Sequence, residues 1–286
     1  MNEEEKKANG ATLTGLKNLL WSLGIIICCA AVVIGLVFAM FRRDRGEKES
    51  FIPNLGTAEE SSASEQENGN SVVPGVGVGN ARGILNTLER TDDAGSKYID
   101  SLTFLVDSTF ISMRNLNLVS TNQVWATESG SMPMDSVHKA QIKFPNDGNN
   151  MLASSAAMTA KPEILVIGIG MDGLMKVDEE TFIINYETLI NDIRSASPDT
   201  KIICCGLSSV APEYSGSDKI TATDVSDGND WVQLVCRDTG SYYLDIGEEL
   251  CESVQLLSRF ASSNKKTLNR DGINAFLSYV RTHAIQ

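Results

Sequence analysis

The residues with the clearest chemical potential lie in the stretch FLVDSTF, at positions 104–110. An apolar run with the character of a buried strand ends there in Asp107 and Ser108. A serine hydroxyl becomes a useful nucleophile only when a neighbouring base takes its proton. Three interpretations stay open at this stage: Ser108 is a nucleophile, Ser108 is what remains of one, or Ser108 caps a following helix.

The composition excludes several classes of function. The formal net charge of -13 and the pI of about 4.6 leave no basic surface for a nucleic-acid partner. None of the six cysteines forms a Cys-x-x-Cys pair, so we expect no zinc site and no cofactor. Cys204 and Cys205 are neighbours in a strand-like run, and we expect them to be core residues that face opposite sides of a sheet.

The chain divides into four segments. A tail of residues 1–17 precedes the uncharged run 18–41, which is roughly 36 Å long as a helix and is predicted to cross a membrane once. Basic residues flank both ends of this run, so charge alone does not set its orientation. Residues 42–96 are rich in Ser, Glu, Gly and Asn and are predicted to form a flexible linker. Residues 97–286 have the pattern of one folded domain.

Two glycine-rich stretches imitate nucleotide-binding motifs. PGVGVGNARG, at positions 74–83, lacks the third glycine of G-x-G-x-x-G and follows no strand. Gly168, Gly170 and Gly173 do satisfy that spacing directly after a strand. A dinucleotide site also needs a helix that opens at once and an acid after the next strand. Neither follows here, so we expect no dinucleotide.

The domain alternates apolar, strand-like runs with amphipathic helical ones, which predicts an α/β fold with a parallel sheet covered on both faces. Ligands of such sheets bind at the carboxyl ends of the strands. The predicted strands are 103–107, 163–170, 201–209 and 242–247, with weaker candidates at 116–121 and 140–144, and the predicted helices include 150–160, one capped by Asp178, and 229–240.

Several of these stretches resemble the SGNH/GDSL hydrolase family, over roughly residues 99–284. FLVDSTF is similar to the family's Gly-Asp-Ser block, with Val106 at the glycine. ILVIGIGMDGL resembles its Gly-x-Asn-Asp block, with Asp172 at the asparagine. NRDGINAF resembles its closing Asp-x-x-His block, with Asp271 retained and Asn274 at the histidine. STNQVWATESGSM and SASPDTKIICCGLSSV are similar to a bacterial, cell-envelope branch of the family.

The resemblance implies a flavodoxin-like three-layer fold and hydrolysis of ester or acetyl groups. It implies that Ser108 attacks, that Asp271 orients a histidine base, and that Ser108, Gly170 and the residue at position 172 form the oxyanion hole. Asn274 cannot act as a base near neutral pH. Asp172 would bring negative charge to the position where the oxyanion develops. The alternative is structural: Asp172 is a loop residue that accepts backbone amides, and Asp271 belongs to a turn before a helix.

A substitute base has few candidates, because the chain contains two histidines, His138 and His283. His283 follows Asn274 by nine residues, which is half a helical turn out of phase. His138 has no counterpart in the family's motifs. Asp107 is adjacent to Ser108 and points the other way if the strand continues.

Two functions remain open from the sequence. The first is a membrane-anchored, catalytically degenerate module, outside the cell, that binds a glycan, an acylated envelope polymer or a protein partner. The second is an active serine esterase or deacetylase that acts on acetylated envelope polysaccharide. The sequence does not fix the oligomeric state.

Overall fold

The computed structural model describes residues 85–145 and 147–286. The predicted tail, the transmembrane run 18–41 and the linker as far as residue 84 lie outside these residues. Among the described residues, no helix is both long enough and apolar enough to cross a membrane. The described part forms one α/β unit.

Its strands and helices follow each other in the alternating order that the sequence predicts. The strands are β1 (Asn86–Thr87), β2 (Leu102–Val106), β3 (Val124–Trp125), β4 (Gln141–Lys143), β5 (Asn150–Leu152), β6 (Ile164–Gly168), β7 (Lys201–Cys205), β8 (Tyr242–Leu244), β9 (Cys251–Glu252) and β10 (Gln255–Leu256). The helices are α1 (Ser96–Ser101), α2 (Ser112–Asn115), α3 (Ala153–Ala160), α4 (Glu179–Ala196), α5 (Ala222–Thr239), α6 (Gly247–Leu250) and α7 (Arg270–Arg281). Short 3₁₀ turns lie at Thr121–Gln123, Val137–Lys139 and Leu174–Lys176.

Six strands form the central sheet in the order β1-β8-β7-β6-β2-β3, and every neighbouring pair is parallel. β4 with β5, and β9 with β10, form two separate antiparallel hairpins. The run 140–144 is therefore a hairpin strand outside the main sheet. The run 116–121 is a turn and not a strand, and the sheet's edge strand is β3, a few residues later.

Successive residues of the buried strands pack into different cores, one on each face of the sheet. Leu105, Ile167 and Cys204 pack with α4 and α5, whereas Phe104 and Cys205 pack with α7. Because side chains alternate along a strand, this division defines three layers, with helices above and below the sheet. Both cysteines are buried, as predicted, and both are free thiols.

The folded unit begins earlier than the predicted start at residue 97. β1 pairs with β8, and the Thr91 and Ala94 amides donate to the carbonyls of Thr282 and Arg281 at the end of α7. β1 is only two residues long and lies in polar sequence, so hydrophobic periodicity gave no signal for it.

Helix boundaries follow local capping signals. Asp178 caps α4 by accepting the Thr181 amide at 2.9 Å, as predicted. α5 begins seven residues before the predicted start at 229, at a capping box formed by Thr221 and Asp224. Gly228 interrupts the apolar pattern inside this helix, and a Cβ there would lie 2.7 Å from Leu207. Close packing of α5 on the loop after β7 therefore requires glycine at this position. Because the glycine breaks the apolar pattern, the sequence did not predict the first part of this helix.

Candidate active site

The Asp107 carboxylate organises the loops at the carboxyl ends of β2 and β6. One of its oxygens, Oδ2, accepts the amides of Gly170, Met171 and Asp172 at 3.0, 3.1 and 3.4 Å. The other, Oδ1, accepts the Thr109 amide at 2.9 Å. Asp107 is almost completely buried. Four backbone donors thus converge on one buried carboxylate, which fixes the position of the loop that carries Asp172.

The loop after β6 depends on two glycines with positive φ. Gly170 has φ +133°, and a Cβ there would lie 2.6 Å from Leu207. Gly173 has φ +100°, and a Cβ would lie 3.2 Å from the backbone nitrogen of Met134. This conformation turns three successive amides towards Asp107. The glycine spacing that imitates a dinucleotide motif therefore serves an internal carboxylate.

Ser108 and Asp172 are in direct contact. The Ser108 hydroxyl donates to Asp172 Oδ1 at 2.6 Å. The backbone amides of Ser108 and Met132 both donate to Asp172 Oδ2 at 3.1 Å. The structure therefore confirms that Asp172 accepts backbone amides. Ser108 caps no helix, because α2 begins at Ser112 with Ile111 at its N-cap position.

The position of Asp172 Oδ2 has a chemical meaning. Backbone amides that converge on one point beside a serine hydroxyl are the donors that stabilise the oxyanion of an acyl-transfer intermediate. Here the protein's own carboxylate oxygen occupies that point. A substrate carbonyl cannot reach the two amides unless the Asp172 side chain moves away.

The two neighbouring carboxyl groups influence each other. Burial, followed by the negative charge of Asp172, raises the pKa of Asp107 to about 7, while hydrogen bonds from Thr109 and Gly170 act in the opposite direction. The Asp107 carboxyl is therefore protonated over a wider pH range than an exposed aspartate.

A cavity of about 340 Å³ adjoins Asp172. Its other lining residues are glycine and apolar side chains, and its polar lining residues are Ser131, Asp172, Lys176, Ser217, Asp218 and Lys266. Lys266 Nζ lies 2.9 Å from Asp218 Oδ2. Positive and negative groups thus face the same space, which suits a polar ligand better than an apolar one.

The residues predicted for the closing block do not join Ser108. Asp271 and Asn274 are exposed residues in the first turns of α7, which is capped by Asn269. Among the described residues, neither side chain makes a hydrogen bond to Ser108 or Asp172. The helix begins before Asp271, because the Asn269 side chain accepts the Gly272 amide at 2.9 Å. The interpretation of Asp271 and Gly272 as a turn before a helix is therefore wrong.

The loop before α7 contains a pair that sequence reasoning missed. Asn264 Oδ1 accepts the Thr267 hydroxyl at 3.1 Å and the Thr267 amide at 3.0 Å. Lys266 lines the cavity beside Asp172, and the Leu268 amide donates to the Thr109 carbonyl at 3.0 Å. Thr267 lies between these two contacts. Asn264 and Thr267 have the three-residue spacing of an Asp-x-x-His pair but neither residue type, so motif reading overlooked them.

Neither histidine contacts Ser108 in the described residues. His283 is buried beyond the C-terminal end of α7, stacked on Tyr279 with ring centroids 3.8 Å apart. Its Nδ1 lies 2.9 Å from the Tyr279 carbonyl. The predicted continuous helix does not reach this residue, because α7 ends at Arg281. His138 lies in the 3₁₀ turn that packs on α4, and its buried Nδ1 has no hydrogen-bond partner.

No protein-family model and no curated protein sequence matches this chain. Solved structures do match. They include a carbohydrate esterase of family 3 from Talaromyces cellulolyticus (TM-score 0.41, 10% identity, 63% of this chain and 93% of that one). A protein described as a GDSL-like lipase from Parabacteroides merdae has a TM-score of 0.43, with 10% identity and coverage of 69% and 98%.

A third structure is the periplasmic domain of a lipopolysaccharide acetyltransferase from Salmonella (TM-score 0.41, 15% identity, coverage 63% and 82%). Esterases and GDSL-type hydrolases are the class of protein that the sequence motifs resemble. The roles of individual residues in this chain rest on its own geometry.

Proposed function

We propose that this chain is a membrane-anchored, cell-surface module with an SGNH-like domain that binds a polar envelope polymer without hydrolysing it. The apolar run 18–41 is the proposed anchor, and the folded domain is proposed to lie outside the cell. The family branch that the motifs resemble supports this placement.

One observation carries the proposal: a carboxylate oxygen of Asp172 fills the point where the Ser108 and Met132 amides converge. An oxyanion at this point would need those donors and would be repelled by the carboxylate. Loss of a single oxyanion donor reduces turnover by about 10²–10³. Here the donors remain but are already occupied.

A second observation supports it: the loop that approaches the site before α7 carries Asn264 and Thr267. Their hydrogen bond imitates an acid–base pair, yet neither side chain can take a proton from Ser108 near neutral pH. An unactivated serine hydroxyl is a poor nucleophile. The same geometry therefore holds the loop in place without supplying a base.

The cavity beside Asp172 is the proposed ligand site. It is large enough for about two sugar rings, and its lining offers both ammonium and carboxylate groups. We propose that hydroxyl and anionic groups of an envelope glycan contact Ser131, Lys176 and Lys266. Polar ligands of this kind require several convergent hydrogen-bonding groups, which the cavity provides.

Hydrolysis of para-nitrophenyl acetate by the 286-residue chain tests the absence of turnover. The wild type, Ser108→Ala and Asp172→Asn are compared under the same conditions. We expect wild type and Ser108→Ala to match the background rate. Asp172→Asn removes the charge and returns a side-chain amide donor, so it should show a small gain that Ser108→Ala abolishes in the double variant.

A second candidate function is favoured by the 2.6 Å hydrogen bond from the Ser108 hydroxyl to Asp172. In that case Asp172 accepts the serine proton as the hydroxyl oxygen bonds to the acyl carbon, and the proton then passes to the departing alkoxide. Water later releases the acyl group. This esterase predicts serine-dependent turnover that Asp172→Asn abolishes, which is the opposite result.

Binding is tested separately by sedimentation with purified cell-wall polysaccharide. We expect saturable binding that weakens about fivefold or more in Lys266→Ala, because Lys266 lines the cavity. Lys265→Ala is the matched control, since Lys265 reaches Glu213 at 3.6 Å and does not line the cavity. Equal loss in both variants, or no binding by the wild type, would contradict the proposed ligand site.

A further inference from the structure

A second, larger cavity of about 460 Å³ lies at the carboxyl ends of β7 and β8. One wall is a face of α5, and the opposite wall is formed by the segment after β8 and by the β9–β10 turn. Three carboxylates line it, from Asp230, Asp245 and Glu248, and no lysine or arginine is among its lining residues. Nothing in the proposed function uses this cavity.

The carboxylates stand at different depths. Asp230 on α5 and Glu248 on α6 are exposed at the rim, whereas Asp245, directly after β8, is half-buried. Asp245 Oδ1 accepts the Gly247 amide at 3.0 Å, and Glu248 Oε2 accepts the Tyr279 hydroxyl at 2.8 Å. Each of these two carboxylates thus gives one oxygen to the protein and, among the described residues, keeps the other free.

A buried hydroxyl also lines this cavity. Ser209 is only 3% exposed, and its Oγ has no hydrogen-bond partner among the described residues. A buried polar atom without a partner is unfavourable by about 1–3 kcal/mol. A ligand that bonds to Ser209 would remove this penalty, so the unpaired hydroxyl is an observation independent of the acidic lining.

The charge of the cavity selects its ligand. Three carboxylates without a cation repel phosphates and carboxylates. Among the described residues, no three His, Cys, Asp or Glu side chains form a group that could hold a metal ion. An organic ammonium group makes fewer geometric demands, because its three donors can each reach a different acceptor.

The neutral lining adds a second requirement. Ser226 and Gln233 share the α5 face with Asp230, and Tyr243 lies on β8. These side chains offer hydroxyl and amide groups suited to the hydroxyls of a ligand. Burial raises the pKa of Asp245, and the nearby Glu248 charge adds to this effect, so a positive ligand would relieve repulsion between the two acids.

We propose that this cavity binds an amine-bearing polyol, such as an unacetylated amino sugar, through Asp245 and Asp230 to the ammonium group and Ser209 to a hydroxyl. The site lies beside β7 and β8, whereas Ser108 and Asp172 lie after β2 and β6. The inference stands whether or not the Ser108 site binds a polymer.

The test is a saturation-transfer NMR titration of the 286-residue chain with glucosamine, and with glucose as the matched ligand that lacks the amine. We expect glucosamine to bind at least about tenfold more tightly than glucose, and binding to weaken as salt is raised. Asp245→Asn should reduce the affinity for glucosamine by about tenfold, since a hydrogen bond to a charged group is lost. The Asn side chain keeps an oxygen for the Gly247 amide.

Asp227→Asn is the control. Asp227 is exposed on the same helix and does not line the cavity, and its substitution removes the same charge. Asp230→Asn, at an exposed position, repeats the test if Asp245→Asn does not fold. Three outcomes would overturn the proposal. They are equal binding of glucose and glucosamine, no binding of either at 50 mM (roughly the weakest affinity of interest), and an equal loss of affinity for glucosamine in Asp227→Asn.

Discussion

Acidic groups occur in two places along one edge of the sheet, and their surroundings differ. After β2 and β6, Asp107 accepts backbone amides at both oxygens, whereas Asp172 accepts two amides at Oδ2 and the Ser108 hydroxyl at Oδ1. After β7 and β8, Asp245 and Glu248 each use one oxygen and leave a buried serine hydroxyl unpaired nearby. Among the described residues, every carboxylate oxygen of the first region is paired within the protein, although the buried Thr109 hydroxyl is not, whereas each acid of the second region keeps one oxygen free.

This contrast separates two uses of a carboxylate. Where every oxygen is already paired within the protein, the acid stabilises the loop and keeps a substrate carbonyl away from the backbone amides. Where oxygens and hydroxyls remain unpaired, a ligand gains hydrogen bonds that the protein does not make for itself. The point that resembles an oxyanion hole is therefore closed to a substrate carbonyl, whereas the acids of the region without a motif still have a free oxygen for a ligand.

The largest expected effect is on folding stability. Asp107→Ala removes the acceptor of four backbone amides and leaves them buried. We expect a loss of about 4 kcal/mol in the free energy of unfolding, since each unsatisfied buried donor is unfavourable by about 1–3 kcal/mol. Urea denaturation measures it. Asp100→Ala, on an exposed position of α1, is the control and should change stability by less than about 0.5 kcal/mol. A loss below 1 kcal/mol in Asp107→Ala (about the mean for point mutants) would show that the region is not held by this carboxylate.

The next largest effect is on catalysis. Asn264→Asp and Thr267→His, combined with Asp172→Asn, place an acid–base pair in the loop before α7 and remove the negative charge beside Ser108. We expect a gain of about 10²-fold in para-nitrophenyl acetate hydrolysis over Asp172→Asn alone, the lower end for a positioned general base.

Asn274→His in the Asp172→Asn background is the matched control for that experiment. Its side chain is exposed on α7, so we expect no gain from it. A gain from Asn274→His, without one from the Asn264 and Thr267 changes, would restore the predicted closing block as the catalytic position.

A smaller effect appears in the dependence of stability on pH. The pKa of Asp107 is raised to about 7 by burial and by Asp172, so the folded state retains a proton that the unfolded chain releases near pH 4. The contribution of Asp107 to the free energy of unfolding is therefore fully present below about pH 4 and is lost as the pH rises through about 7.

Asp172→Asn removes one cause of that shift and should make stability fall less between pH 5 and pH 8 than it does in the wild type. Urea midpoints at four pH values in this range measure the difference. A constant difference between the two proteins at every pH would mean that the two carboxyl groups are not coupled.

The smallest effect tests the open region. Asp245→Asn keeps the acceptor for the Gly247 amide and removes repulsion from Glu248, so its stability should stay within about 0.5 kcal/mol of the wild type or rise slightly. Thermal unfolding without added ligand measures this. A loss above 2 kcal/mol (the range of a large mutational effect) would show that Asp245 is as structural as Asp107, and the contrast between the regions would fail.

Much of the fold could be predicted because the long buried strands and α4 carry strong local signals. β6, β7 and the Asp178 cap follow from apolar runs and capping chemistry. β1 and β3 could not be predicted, because two-residue strands are defined by their partners and not by periodicity. The hairpin of β4 and β5 was missed as a separate unit because its strands have only three residues each, and β5 occupies the first residues of the predicted helix 150–160.

The candidate site was also predicted only in part from the sequence. Ser108 and Asp172 were predicted together, and the structure brings them into contact. The Gly170 amide was predicted to be an oxyanion donor, but it donates to the buried Asp107 carboxylate instead. The sequence could not show that Asp172 Oδ2 lies between two amides, since the Met132 amide comes from a distant loop. Motif spacing placed the closing pair at Asp271 and Asn274, whereas helix capping by Asn269 moves those residues onto an exposed helix face.

The attachment of β1 also has a mechanical consequence. If the segment before residue 85 tethers the domain to a surface, tension enters the fold at β1, which is held to β8 through only two paired residues. Behind it, the Thr91 and Ala94 amides and the Asp93–Arg281 ion pair, at 2.8 Å, hold the C-terminal end of α7. Just before the N-terminal end of α7, the Leu268 amide donates to the Thr109 carbonyl. Tension would therefore detach β1 and act first on the C-terminal end of α7, while the loops around Ser108 keep their conformation.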